Sequence, residues 1–152
     1  MVDTETARFT VGVFQNAEWA GKGLSALKDA GFTADMFSIL AKDAPDASAL
    51  VEKTFGAKGE RFDVANLGAV VAHGSIVQTL QGRARELSKL GIAGSMRRVG
   101  FQPHDGRIFE TLTGRGGVLI AIQTEPRAAD ALAILFSYGG GNAAIGAWTG
   151  RV

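Results

Sequence analysis

Cysteine is absent from all 152 residues. With it go disulfides, thiolate nucleophiles, iron–sulfur clusters and cysteine-ligated zinc, so the core alone must hold the fold. Histidine is nearly as scarce. His73 and His104 are the only two, and neither has a partner three or four residues away. Nothing in that spacing asks for a metal held by two imidazoles and the Asp105 carboxylate. Ser75 near His73 is no better as a nucleophile and base, because no nucleophile-elbow motif surrounds the serine. Long apolar runs are missing too. The strongest, Gly117–Ile122, falls far short of the roughly 20 residues needed to cross a bilayer. Met1–Thr10 lacks the charged and then apolar layout of a secretory signal. These absences set the expectation of a cytoplasmic, non-enzymatic protein with no cofactor, no metal and no membrane insertion.

Glycine, by contrast, is abundant, at 21 residues. A phosphate loop needs a strand, a glycine-rich turn and a helix, in that order. Ser137–Gly146 (SYGGGNAAIG) runs the other way, after a helical pattern and before a strand, and Gly114-Arg115-Gly116-Gly117 also leads into a strand. Neither nucleotide-binding glycine fingerprint occurs, and helix caps and tight turns account for these glycines. Trp19, Phe101 and Trp148 read as core or interface anchors. Aromatic and basic residues do not interleave on one strand as RNA-binding sheets require, so no nucleic-acid partner is expected.

The net charge of +1 hides an uneven layout. Met1–His73 holds seven Lys/Arg against ten Asp/Glu, whereas Gly74–Arg115 holds seven against three, and six of those seven are arginine. Arg97-Arg98 within Gly94–Gly100 (GSMRRVG), with Arg107 and Arg115 further on, is the one cluster that suggests a binding site. Guanidinium forks suit carboxylate and phosphate oxygens, so a small anion or an acidic protein is the partner this cluster implies. The plainer reading places the same arginines on solvated helix faces or in surface ion pairs.

Along the chain, Phe9–Phe14 (FTVGVF) alternates like a strand, Asn16 is a good N-cap, and Ala20, Gly23, Leu24, Leu27 and Ala30 recur at helical spacing up to Gly31. Met36–Leu40 is a second short strand, closing a β-α-β unit over about 8–42. The other end repeats the order over about 117–149. Gly117–Gln123 is a strand, Thr124 caps a helix with Pro126 in its first turn, and Ala128, Leu132, Leu135 and Phe136 form its buried face. Gly139-Gly140-Gly141 ends that helix and Ala143–Trp148 returns as a strand. An offset of 109 lays Gln15 on Thr124, Leu27 on Phe136 and Gly31 on Gly140.

Two such units combine most simply into a four-stranded antiparallel sheet with both helices on one face, the α+β arrangement called ferredoxin-like. The whole chain is expected to be a single domain. A long, mainly helical insert over 43–116 separates the halves, too long for a bare loop. Within it, Ala47–Phe55 behind Asp46 is a short helix ended by Gly56. A longer helix runs from Ser75 through Ile76, Leu80, Ala84 and Leu87 to Gly91. His104–Thr113 offers Ile108, Phe109 and Leu112 on one side, and Ala69–Ala72 adds a strand. These helices have apolar faces to bury, either on the sheet or against another subunit.

The opening TVGVF…A…LKDAGF…MFSIL resembles the start of bacterial general stress proteins of the heat-induced, 17M-like kind. The later stretch LGIAGSMRRVGFQPHDGRIFETLTGRGGVLIAIQTE is similar to the second half of the same family, and together they cover about two-thirds of the chain. The resemblance implies a ferredoxin-like domain with a link to stress responses, and no reaction, cofactor or functional residue comes with it. Members often carry a Gly/Ala-rich apolar middle, where this chain has His73, Gln78, Gln81 and several arginines.

The leading expectation is therefore a stress-associated interaction or scaffolding domain that self-assembles. The terminal strand, uncharged and without proline, is the edge that invites pairing, with Ile145 and Trp148 as interface residues. The alternative is a regulatory module that binds a small molecule or anion through Arg97, Arg98, Arg107 and Arg115. Third is an enzyme whose active site forms only across a subunit interface.

Overall fold

The computed structural model describes residues 9–98, 103–123, 130, 131, 133 and 134, and the backbone of 145–148. In chain order these form β1 (Phe9–Phe14), α1 (Ala17–Asp29), a 3-10 turn (Ala34–Met36), β2 (Phe37–Lys42), α2 (Pro45–Phe55), β3 (Glu60–Val64) and β4 (Gly68–His73). Then come α3 (Ser75–Gln81), α4 (Glu86–Arg98), α5 (Pro103–Gly114), β5 (Val118–Gln123) and β6 (Ile145–Trp148). Residues 130, 131, 133 and 134 are helical. The expected cap at Thr124, the helix residues Ala128, Leu132, Leu135 and Phe136, and Gly139–Gly141 lie outside the described residues.

The first unit follows its sequence signals closely. Asn16 accepts a hydrogen bond from the Trp19 backbone at 2.9 Å, occupying one of the amides a helix start leaves free. Ala20, Gly23, Leu24 and Leu27 are the buried stripe of α1. Phe32 N bonds to Leu27 O around Gly31, closing the helix end where the glycine predicted it.

The sheet is larger than the four strands expected. Six strands pair in the order β3-β4-β2-β5-β1-β6, and every described pairing is antiparallel. The two extra strands are a hairpin from the insert, placed beside β2. Five of the six β2 residues are buried, the pattern of an interior strand covered on both faces. β4 stands where Ala69–Ala72 pointed. The sequence signal for β3 is weak, because in ERFDV the apolar alternation is only two residues long, Phe62 and Val64, and only Val64 is fully buried.

The alternation of β5 shows how both faces are covered. Val118, Ile120 and Ile122 join Leu24 and Leu27 of α1, Leu50 and Val51 of α2, and Ala131 in one core cluster. Leu119 and Ala121 join Leu80 of α3, Leu87, Ile92 and Met96 of α4, and Phe109 of α5 in the other. Helices therefore sandwich the sheet, and the insert covers the face that two β-α-β units alone would leave open. Burial of this kind contributes about 25 cal/mol per Å² of apolar area, enough to explain why the insert packs inward.

The long helix expected from Ser75 to Gly91 is instead two helices. Gly74, not Ser75, is the N-cap residue of α3. It sits at φ +119, and a Cβ there would collide with Ser38 Oγ and Cα. That close approach lets the Ser38 hydroxyl, buried in β2, accept from Ile76 N at 3.1 Å. The chain turns at Gly82–Arg85, with Gly82 at φ 58 and ψ −157 and Arg85 at φ 57. Gly91, at φ 80 and ψ −179, then splits α4 into two helical stretches. The apolar spacing is continuous across Gly82, and periodicity alone gives no sign of the break.

Candidate interaction surfaces

The ends of the sheet differ in kind. β3 exposes Glu60, Arg61 and Asp63. Arg61 reaches Asp43 Oδ2 at 3.2 Å and donates to Ser48 Oγ at 2.7 Å, fastening the strand to α2. On the other side of the sheet Ala65 N bonds to Ser88 O of α4 at 3.0 Å. A charged, fastened strand is how proteins keep a sheet edge from pairing with another chain.

β6 ends the sheet at the opposite side. Its register sets Trp148 against Phe9, Ala147 against Thr10, Gly146 against Val11 and Ile145 against Gly12. The strand IGAW contains no charge and no proline. The side chains of Ile145 and Trp148, the expected interface residues, lie outside the described residues, as does Ala143. What the structure places is their backbone, in the terminal strand.

The two helical layers differ as well. Around α1 and α2 both charge signs mix, with Lys22 paired to Glu18 at 3.7 Å and Arg61 to Asp43. Glu18, Asp29, Asp46, Lys22 and Lys53 share a groove of about 720 Å³ between these helices. The α3–α5 layer has one exposed sign. All six arginines from Arg83 to Arg115 are exposed, and so is Lys89. Its three carboxylates, Glu86, Asp105 and Glu110, are each partly buried. Glu110 turns inward, where Oε1 accepts from Ala93 N at 2.9 Å and Oε2 lies 3.4 Å from Asn66 Nδ2. It thereby caps the second stretch of α4 just after the Gly91 break, a role only the fold reveals. Among the described residues, no ion pair forms on this layer.

Of the four arginines singled out from sequence, the structure brings two into one groove. Arg107 and Arg115 share a groove of about 340 Å³ on α5 with His104, Ile108, Thr111 and Leu112. Arg98 is engaged elsewhere, its guanidinium donating to Thr79 O at 2.9 Å and Leu80 O at 3.0 Å at the end of α3. Arg97 stands exposed near the end of α4. The α5 groove had a sequence signal in the recurrence of Ile108 and Leu112 between arginines eight residues apart. Those two apolar residues are half-buried, and Phe109 alone of the three is fully enclosed.

The two histidines lie in separate elements. His73, in β4, packs its ring against Phe55 at 4.2 Å between centroids, and His104 belongs to the α5 groove. Among the described residues no three metal-ligating side chains cluster, and no helix is long and apolar enough to cross a membrane. Compared with family models, with curated proteins and with solved structures, the chain matches none.

Proposed function

We propose that the protein is a non-enzymatic, stress-associated interaction domain of the cytoplasm whose copies join by pairing their β6 edges. The observation that carries this reading is the contrast between the sheet ends. One is charged and fastened from both layers, and the other is an uncharged strand at the limit of the sheet. Unpaired backbone groups along such an edge are satisfied when a second copy adds its own strand, and a two-fold pairing uses the same patch twice. The strand order β6-β1-β5-β2 supports a ferredoxin-like reading, with α2, the hairpin and α3–α5 as its insert. That reading in turn agrees with the resemblance to 17M-like general stress proteins. Light scattering on a sizing column tests it: the mass should equal two or more chains, and one chain at every concentration refutes it.

A regulatory module that binds a small anion is the second reading, favoured by the single exposed charge sign of the α3–α5 layer. It predicts a thermal shift with phosphate or dicarboxylates that fades as salt rises. An unshifted melting temperature across such a panel removes it.

A further inference from the structure

We propose that the outer flank of α5 is a docking groove for an acidic segment of another protein. The segment would be extended, with a carboxylate, an apolar side chain and a second carboxylate at alternate positions. This goes beyond self-assembly through β6 and does not depend on it.

Among the described residues, the contacts of α5 lie on its other flanks. Gly106 faces α4, where a Cβ would lie 3.3 Å from Ala93, and Glu110 reaches the same helix. Phe109 and Thr113 are buried. His104, Arg107, Ile108, Thr111, Leu112 and Arg115 line the groove on another side. α4 packs on β3 and α5 on β1, β2 and β5, so α5 lies nearer the β6 end of the sheet than α4 does.

The spacing selects the ligand. Arg107 and Arg115 are eight residues apart, about 12 Å along the axis at roughly 1.5 Å per residue. In an extended chain, alternate side chains share a face, and four residues span about 13 Å. A carboxylate at each end of such a stretch meets one guanidinium fork, which suits bidentate pairing. The side chain midway between them falls on half-buried Ile108 and Leu112. Among the described residues neither guanidinium has an ion pair or hydrogen bond, and no carboxylate lines the groove to compete. A nucleic-acid backbone fits less well, since its phosphates would cover Ile108 and Leu112 with no apolar counterpart. Among the described residues the groove also has no aromatic ring on which a base could stack.

The test is fluorescence anisotropy of the full chain with a labelled synthetic pentapeptide. The peptide carries aspartate at its first and last positions, leucine in the middle and serine between. Saturable binding is expected, weakened at least about tenfold by Arg107→Ala with Arg115→Ala, as for loss of charge-assisted contacts. Replacing the peptide's leucine by serine should also weaken binding, and Ala147→Lys in β6 should leave it unchanged. Both arginines are exposed, so the double variant should melt with the wild type. Absence of saturation overturns the proposal, as does indifference to the leucine. Tighter binding of duplex DNA or anionic lipid vesicles through the same two arginines overturns it as well, by making the flank a general polyanion surface.

Discussion

β3 and β6 close the same sheet from opposite ends, yet the two strands differ in chemistry. β3 presents Glu60, Arg61 and Asp63, and is tied to α2 through Arg61 and to α4 through the Ala65–Ser88 backbone bond. β6 is a four-residue uncharged strand whose described hydrogen-bonding partner is β1. The insert makes the difference. By laying its hairpin beside β2 it caps one end of the sheet with a strand unsuited to pairing. On the proposed reading, self-association is directed to the other end, and an open sheet becomes a one-sided connector.

The contrast can be broken most severely from the β3 side. Leu87 is fully buried in α4, the helix that holds the hairpin from behind. Leu87→Ala should cost about 2–5 kcal/mol in denaturant unfolding, the range for a large core truncation. A cost near zero would mean that the α3–α5 layer is not part of the core supporting the edge. Next in size is the β6 side, where Trp148→Ala should weaken assembly by about 2 kcal/mol, as for an interface anchor. Trp19→Ala should do less, because Trp19 lies off the buried stripe of α1 with Lys22 Nζ 4.5 Å from its ring. Dilution monitored by light scattering ranks the two, and the reverse order would move the contact to the first helix.

Smaller effects sharpen the picture. Glu110→Ala removes the carboxylate that accepts from Ala93 N, and should destabilise the fold by about 1–2 kcal/mol, like loss of a helix cap. Rescue by Gln, which retains an acceptor, would separate capping from charge. Arg61→Ala should change stability by less than about 1 kcal/mol, because the Arg61–Asp43 pair is open to solvent, at 46% and 32% side-chain exposure. The same variant tests whether charge protects β3. Together with Glu60→Val and Asp63→Val it should produce assemblies larger than those of the wild type, and an unchanged mass would show that fastening alone protects the edge.

Much of the fold was legible because several signals agreed locally. In the first unit, alternation in FTVGVF, the cap at Asn16 and the stop at Gly31 all point to the same strand and helix. The apolar run before Gln123 marked β5, and Gly56 marked the end of α2. What escaped were features decided by tertiary contact. β3 forms because β4 offers it a ladder, while its own apolar alternation is limited to Phe62 and Val64. The break at Gly82 is hidden because Leu80 and Leu87 both reach the core across it. The uneven charge was visible in composition, but its placement on one face required knowing that the insert folds back over the sheet. The same holds for the arginines: sequence proximity grouped four, whereas helix geometry pairs Arg107 with Arg115 and leaves Arg98 on the carbonyls of α3.

Backbone hydrogen exchange at the two edge strands tests the account most directly. At high protein concentration the amides of Ile145–Trp148 should be more protected than those of Glu60–Val64. That protection should fall on dilution or in the Ala147→Lys variant, while β3 exchanges at the same rate throughout. If β6 amides exchange as fast as those of β3 at every concentration, or if it is β3 that gains protection, the assignment of β6 as the pairing edge is wrong.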